Sequence, residues 1–155
     1  MTRLTRRAKH WTTYSCLLLA ASLPGVTDAA ELTITVAPLK DMAGTLYIRV
    51  YSPASQWLSE REDGPVASAV VDLKAETFTT GEPQVIRTFV LPEGIYAATA
   101  IQDINNNSRL DRDWRGVPQE PSGTSGKFTA GLPTFEDSKF RLGSEGSSER
   151  IVFSE

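Results

Sequence analysis

Leu46-Tyr47-Ile48-Arg49-Val50-Tyr51 alternates three aliphatic residues with three that carry a polar or aromatic group. A period of two marks a β-strand with one face buried. The same alternation runs through Leu32-Thr33-Ile34-Thr35-Val36 and stops at Pro38. Asp41-Met42-Ala43-Gly44 joins the two segments in a turn-like connection, which predicts a hairpin. After the second strand, Ser52-Pro53 has the form of a cap followed by a first-turn proline, and predicts one short helical turn over Pro53 to Leu58.

Further along, Val66 to Leu73 is rich in alanine, but its length and the Val70-Val71 pair favour a strand. Val85 to Leu91 is β-branched and aromatic, Pro92-Glu93-Gly94 is a tight turn, and Ile95 to Ile101 continues with Tyr96 and small residues. This predicts a second hairpin. Lys139 to Leu142 and Arg150 to Phe153 read as final strands on either side of a Gly143 to Ser148 turn. About seven short strands with no long helical period between them predict an all-β antiparallel sandwich.

The first residues have a different character. Arg3, Arg6, Arg7 and Lys9 precede an apolar run from Trp11 to Leu23, Pro24-Gly25 breaks it, and Val26-Thr27-Asp28-Ala29-Ala30 supplies small residues. That is the pattern of a secretion signal, residues 1–29, cut after Ala29 and leaving one domain over 30–155. The run is shorter than the roughly 20 residues a spanning helix needs, so no transmembrane segment is expected in the mature chain. Cys16 lies inside the run and not at its end, which argues against a lipid anchor.

Losing the leader changes the available chemistry. The chain of 155 residues has one His and one Cys, and both, His10 and Cys16, fall in the leader. Without them no Ser-His-Asp triad, thiolate zinc site or disulfide can form. Cleavage also removes Arg3, Arg6, Arg7, Lys9 and Asp28 from 16 basic and 19 acidic residues, taking the net charge from −3 to −6. An acidic domain without a basic stripe is not expected to bind nucleic acid.

Oxygen ligands remain. Asp103 to Pro133 is a long stretch rich in Asn, Asp, Gly, Pro and Ser, and a loop of that length is usually functional or organised by a metal. Disorder is the third possibility for such a stretch. The stretch opens Asp103-Ile104-Asn105-Asn106-Asn107-Ser108-Arg109-Leu110-Asp111-Arg112-Asp113. Asp103, Asn105, Asn107 and Asp111 fall at positions 1, 3, 5 and 9 of a calcium loop, and the backbone carbonyl of Arg109 falls at position 7. Ser108 stands where such loops have glycine, with Asn107 beside it to relieve the turn. Trp114 stands where they have a bidentate Glu, so Asp113 or Glu120 would supply the late carboxylate. Few carboxylates mean weak binding, about 0.1–1 mM, as in extracellular modules. The competing reading is a turn in which Asn side chains cap their own backbone.

Several of these segments together resemble a known family. Leu91-Pro92-Glu93-Gly94-Ile95-Tyr96-Ala97, Asp103 to Asp111, Gly116-Val117-Pro118 and Phe135-Glu136-Asp137-Ser138-Lys139-Phe140 look like the bacterial secreted family named domain of unknown function 2141. The resemblance spans Glu31 to Phe153 and implies a secreted β-sandwich, with no activity attached. Gln102 stands where that family often has His, and Glu120 to Gly126 replaces an Asn-rich stretch. The unit around Pro92-Glu93-Gly94-Ile95-Tyr96 is also similar to transthyretin-like and carboxypeptidase-regulatory sandwich domains, which are non-catalytic.

The expected function is therefore non-catalytic: an exported binding or structural domain of the cell envelope, periplasmic or extracellular, with calcium as cofactor and an envelope protein or glycan as partner. Trp114, beside the loop, is the candidate ligand-contacting aromatic. Trp57 is expected to cover an open end of the core, and Tyr96 to bury its ring and bond its hydroxyl. The alternatives are a carbohydrate-binding module, or a small hydrolase using a carboxylate pair such as Glu136-Asp137 or Asp111 with Asp113.

Overall fold

A computed structural model describes residues 28–39, 41–53, 55–59, 61, 64–78, 81–126 and 132–153, and these residues form eight strands and one helical turn. The strands are β1 (Ala29–Val36), β2 (Thr45–Tyr51), β3 (Ala67–Asp72), β4 (Val85–Pro92), β5 (Gly94–Asp103), β6 (Ser122–Thr124), β7 (Lys139–Leu142) and β8 (Ser147–Ile151), and α1 (Phe135–Ser138) precedes β7. They form a three-stranded sheet in the order β4-β1-β8 and a five-stranded sheet in the order β3-β2-β5-β6, with β7 also on β5. Every pairing is antiparallel except β1 with β8. The expected leader lies outside the described residues apart from Asp28 and Ala29. Ala29 opens β1 opposite Pro92, so cutting after it would leave the pairing of residues 30–36 in place.

Alternation in β1 and β2 does bury one face of each. Leu32, Ile34 and Val36 from one sheet and Leu46, Ile48 and Val50 from the other join Val71, Leu91, Ala98, Ala100, Leu142 and Ile151 in a single core. The expected hairpin of these two strands does not form, because they lie in opposite sheets. The apolar faces they share as a pattern meet across the core instead of lying side by side.

The second expected hairpin is also replaced. β4 pairs with β1 and β5 pairs with β2, so Pro92-Glu93-Gly94 carries the chain from one sheet to the other. Tyr96 holds this corner: its buried ring packs in the core and its hydroxyl donates to the Pro92 carbonyl at 2.9 Å. Burial pushes its phenol pKa up.

Residues 66–73 form a strand, as expected, whereas the segment after Pro53 forms turns and not a helix, with Leu58 at φ +62°. Trp57 covers one end of the five-stranded sheet. Its ring meets Tyr51 and Phe135 edge-on at 5.2 and 5.8 Å, and its Nε1 donates to the Pro133 carbonyl at 2.8 Å. Thr134 caps α1, accepting the Asp137 N–H.

The five-stranded sheet is covered on both sides at β5 and the end of β2, while the outer face of β3 is exposed. β5 is buried from Tyr96 to Ala100 without alternation, and Arg49 and Tyr51 of β2 are buried although they point away from the core. The long connection after β5 folds back as a roof. It contains β6, which pairs with Thr99–Ile101, and a short antiparallel bridge between Arg112 and Pro118.

Candidate functional site

The loop begins where β5 ends. Asp103 is fully buried, and its carboxylate accepts the backbone N–H groups of Asn107 at 3.1 Å and Ser108 at 2.6 Å. Those two bonds turn the chain sharply. The left-handed residues are Asn106 at φ +60° and Ser108 at φ +66°, so Ser108 itself takes the conformation that glycine has in calcium loops, and Asn107 does not relieve it. Two residues of β2 brace the turn: the Thr45 hydroxyl donates to Asn106 Oδ1 at 2.9 Å, and the Tyr47 hydroxyl donates to Ser108 Oγ at 3.4 Å.

Inside the turn, side chains converge on Asp111. Asn105 Nδ2 donates to Asp111 Oδ2 at 2.7 Å and Asn107 Nδ2 donates to Oδ1 at 2.9 Å. These two amides, that of Asn107 first, hold the Asp111 carboxyl below its ordinary pKa. The amide oxygens cap backbone: Asn105 Oδ1 accepts the Asn107 N–H and Asn107 Oδ1 accepts the Arg109 N–H.

Glu120 supports this loop from beneath. Its carboxylate is buried, Oε1 accepts the Ile104 N–H at 2.9 Å, and Oε2 accepts the Asp111 N–H at 3.1 Å. A single side chain thereby ties the first and eighth residues after β5, Ile104 and Asp111, to the far limb of the connection. Asp113 is occupied in its own turn, accepting the N–H groups of Val117 and Arg115 and the Arg115 guanidinium. The Val117 N–H, before the others, lowers its carboxyl pKa. The two residues expected to supply a late carboxylate therefore act as backbone caps.

Of the expected site residues, Asp103, Asn105, Asn107 and Asp111 come together. Arg109 is exposed and contributes its backbone N–H, and Trp114 stands outside the cluster, 93% exposed, with the Arg115 guanidinium 5.7 Å from its ring centre. Among the described residues no three His, Cys, Asp or Glu side chains converge as metal ligands. The oxygens at the loop are two carboxylates and neutral amide oxygens, and those of Asp103, Asn105 and Asn107 accept backbone N–H groups, the arrangement of the self-capped Asn turn that competed with the calcium reading. The roles of Thr45 and Tyr47 were not visible in the sequence, since nothing in β2 marks it as a neighbour of the loop.

Gln102, which stands where the family often has His, is fully buried. Its Nε2 donates to the Asp41 and Ala43 carbonyls at 2.9 Å each. It fastens the connection before β2 to the base of the loop.

Residues 34–150 match the family described as uncharacterized protein conserved in bacteria, DUF2141. The chain belongs to the DUF2141 family. The matched span runs from the end of β1 into β8 and includes the Pro92–Gly94 corner and the whole Asp103 to Glu120 loop, so the loop is part of the DUF2141 domain and not an appendage to it. No curated protein and no solved structure gives a significant match. Among the described residues no helix is long and apolar enough to cross a membrane.

Proposed function

We propose that this DUF2141 protein is an exported, non-catalytic binding domain of the cell envelope whose loop from Asp103 to Asp113 takes calcium. The observation that carries the reading is the gathering of Asp103, Asn105, Asn107 and Asp111 around a turn with Ser108 in the left-handed region. Calcium would displace the amide N–H bonds that Asp111 now receives, together with the backbone N–H groups that now occupy Asp103 and the Asn105 and Asn107 amide oxygens. That exchange keeps the affinity modest, with a dissociation constant of about 0.1–1 mM.

Export is supported by the basic, apolar and small-residue order of residues 1–29. The non-catalytic reading is supported by the occupation of the paired carboxylates. Glu136 pairs with Lys139, the Asp137 carboxylate accepts the Thr134 hydroxyl, and Asp113 holds its own turn.

Calorimetric titration with calcium, alongside thermal melts, tests the proposal. At about 1 mM calcium and a dissociation constant of about 0.1 mM the protein gains about 1.4 kcal/mol. Asp111→Asn is expected to remove the gain, and Asp103→Ala to remove it together with part of the basal stability. An unchanged melt at several millimolar calcium refutes the site.

Trp114 favours a second reading, a carbohydrate-binding module. A tryptophan 93% exposed on a stapled turn, with a guanidinium on its ring, is a stacking surface for a sugar or an envelope partner. Glycan-array binding that disappears in Trp114→Ala supports it, and a blank array removes it.

A further inference from the structure

The roof over the five-stranded sheet leaves a hollow of about 480 Å³, within the usual size of small-molecule sites. Its floor is the outer face of β2, β5 and β6. Leu110, Arg112 and Pro118 of the long connection line one side, and Leu132 and Pro133 line another. Most of the lining is apolar, and among the described residues no carboxylate is part of it.

Two polar groups on the floor lack partners. Arg49 is 9% exposed, and its guanidinium makes no hydrogen bond or ion pair with a described residue; its contact is the Tyr47 ring, 5.1 Å away. A guanidinium carries five N–H donors and is rarely buried without an acid. Directly opposite in the β2–β5 register stands Thr99, whose Oγ1 is buried with no partner. The other two arginines lining the hollow are engaged, Arg150 with Glu82 at 2.7 Å and Arg112 with the Gly116 carbonyl at 3.2 Å.

We propose that this hollow binds a small amphipathic monocarboxylate, with its carboxylate on Arg49 and Thr99 and its hydrocarbon body along Ile101, Leu110 and Leu132. A planar carboxylate matches the guanidinium fork and leaves a lone pair for the threonine hydroxyl. The apolar walls select against small, fully hydrated anions. None of the loop residues proposed to hold calcium lines the hollow, so this site stands or falls separately from that proposal.

The test is titration of the protein with dodecanoate, dodecanol and acetate in calcium-free buffer, below the micelle concentration. Dodecanoate is expected to bind with a dissociation constant on the order of 10–100 μM. Dodecanol is expected to bind at least about tenfold more weakly, as is dodecanoate to Arg49→Met, and acetate should give no measurable heat. Equal affinity for the acid and the alcohol, or undiminished binding of dodecanoate to a folded Arg49→Met, overturns the proposal. Should Arg49→Met fail to fold, amide chemical-shift mapping of the unsubstituted protein decides. Shifts at Arg49, Thr99 and Ile101 on adding dodecanoate support the site, and shifts confined elsewhere, or none, refute it.

Discussion

Gly44 and Asp103 approach backbone to backbone so closely that a Cβ on Gly44 would lie 2.0 Å from the Asp103 carbonyl oxygen. Gly44 also has φ +78°. This contact seats the root of the Asp103 to Asp113 loop against the entry of β2, next to Thr45 and Tyr47, which brace the turn.

Gly44→Ala is therefore expected to destabilise the protein by about 3 kcal/mol or more. The left-handed backbone alone accounts for roughly 1–3 kcal/mol, and the clash with Asp103 is against backbone, which cannot rotate aside. Urea unfolding measures the loss, and amide shifts of Asn105 to Ser108 should move with it. A substitution without effect would mean that the loop is seated by other contacts.

Glu120→Ala removes the one acceptor shared by the Ile104 and Asp111 N–H groups and leaves both without it. Hydrogen bonds to a charged group are worth about 1.5–3 kcal/mol each, so a loss of about 3 kcal/mol is expected. Glu120→Gln keeps one amide oxygen and should lose about half as much. Hydrogen exchange at Ile104 and Asp111 reports the effect locally, and both amides should lose protection in the Ala variant.

Tyr96→Phe tests the corner between the sheets. The ring stays in the core while the Pro92 carbonyl loses its donor, which is expected to cost about 1–2 kcal/mol. The midpoint of urea unfolding should fall with its slope unchanged, as for a native-state loss without a change in exposed surface. A tyrosine bonded to backbone a few residues upstream plays this part in immunoglobulin-like sandwiches.

Acid should loosen the loop. Asp111 and Asp113 both have lowered pKa values, so each stabilises the fold above its unfolded pKa of about 3.9 and loses that contribution as pH falls through its lower folded value. Stability is expected to be insensitive to these groups from about pH 5 to 8 and to fall below about pH 4. Melts of the Asp111→Asn, Asp113→Asn double variant check the sign. It should be less stable than the parent near neutrality and converge with it at the acid end.

The sequence made the strands legible and their neighbours illegible. Leu32-Thr33-Ile34-Thr35-Val36 and Leu46 to Val50 report which face is buried, because side-chain direction alternates along any extended chain. They say nothing about which edge is paired, and at both expected hairpins, β1–β2 and β4–β5, the connection crosses from one sheet to the other. The small residues of Ala97-Ala98-Thr99-Ala100 were the one trace of a strand covered on both faces, and they read equally well as an ordinary core strand.

At the loop, the spacing of Asp103, Asn105, Asn107 and Asp111 was readable, and the four side chains do converge. Glu120 was named for its charge but not for its work, since accepting two N–H groups from residues 9 and 16 positions earlier depends on how the connection folds back. Arg49 read as a solvated residue on a polar strand face, and only the roof above it makes it a buried cation.

By itself, then, the sequence determined the all-β class, the faces of its strands, the Tyr96 hydroxyl's need for a partner and an oxygen-only donor set at the loop, all of which follow from residue type and local spacing. Tertiary structure alone decided that β1 and β2 oppose each other across the core, that Gly44 and Glu120 seat the loop, and that Arg49 and Thr99 face one hollow. β1 and β2 are close in sequence but are drawn into different sheets by their distant partners β4 and β5. Gly44 with Asp103 and Arg49 with Thr99 are 50 or more positions apart, Glu120 joins two limbs of one connection, and all are fixed by burial of apolar surface and satisfaction of backbone polar groups over the whole chain.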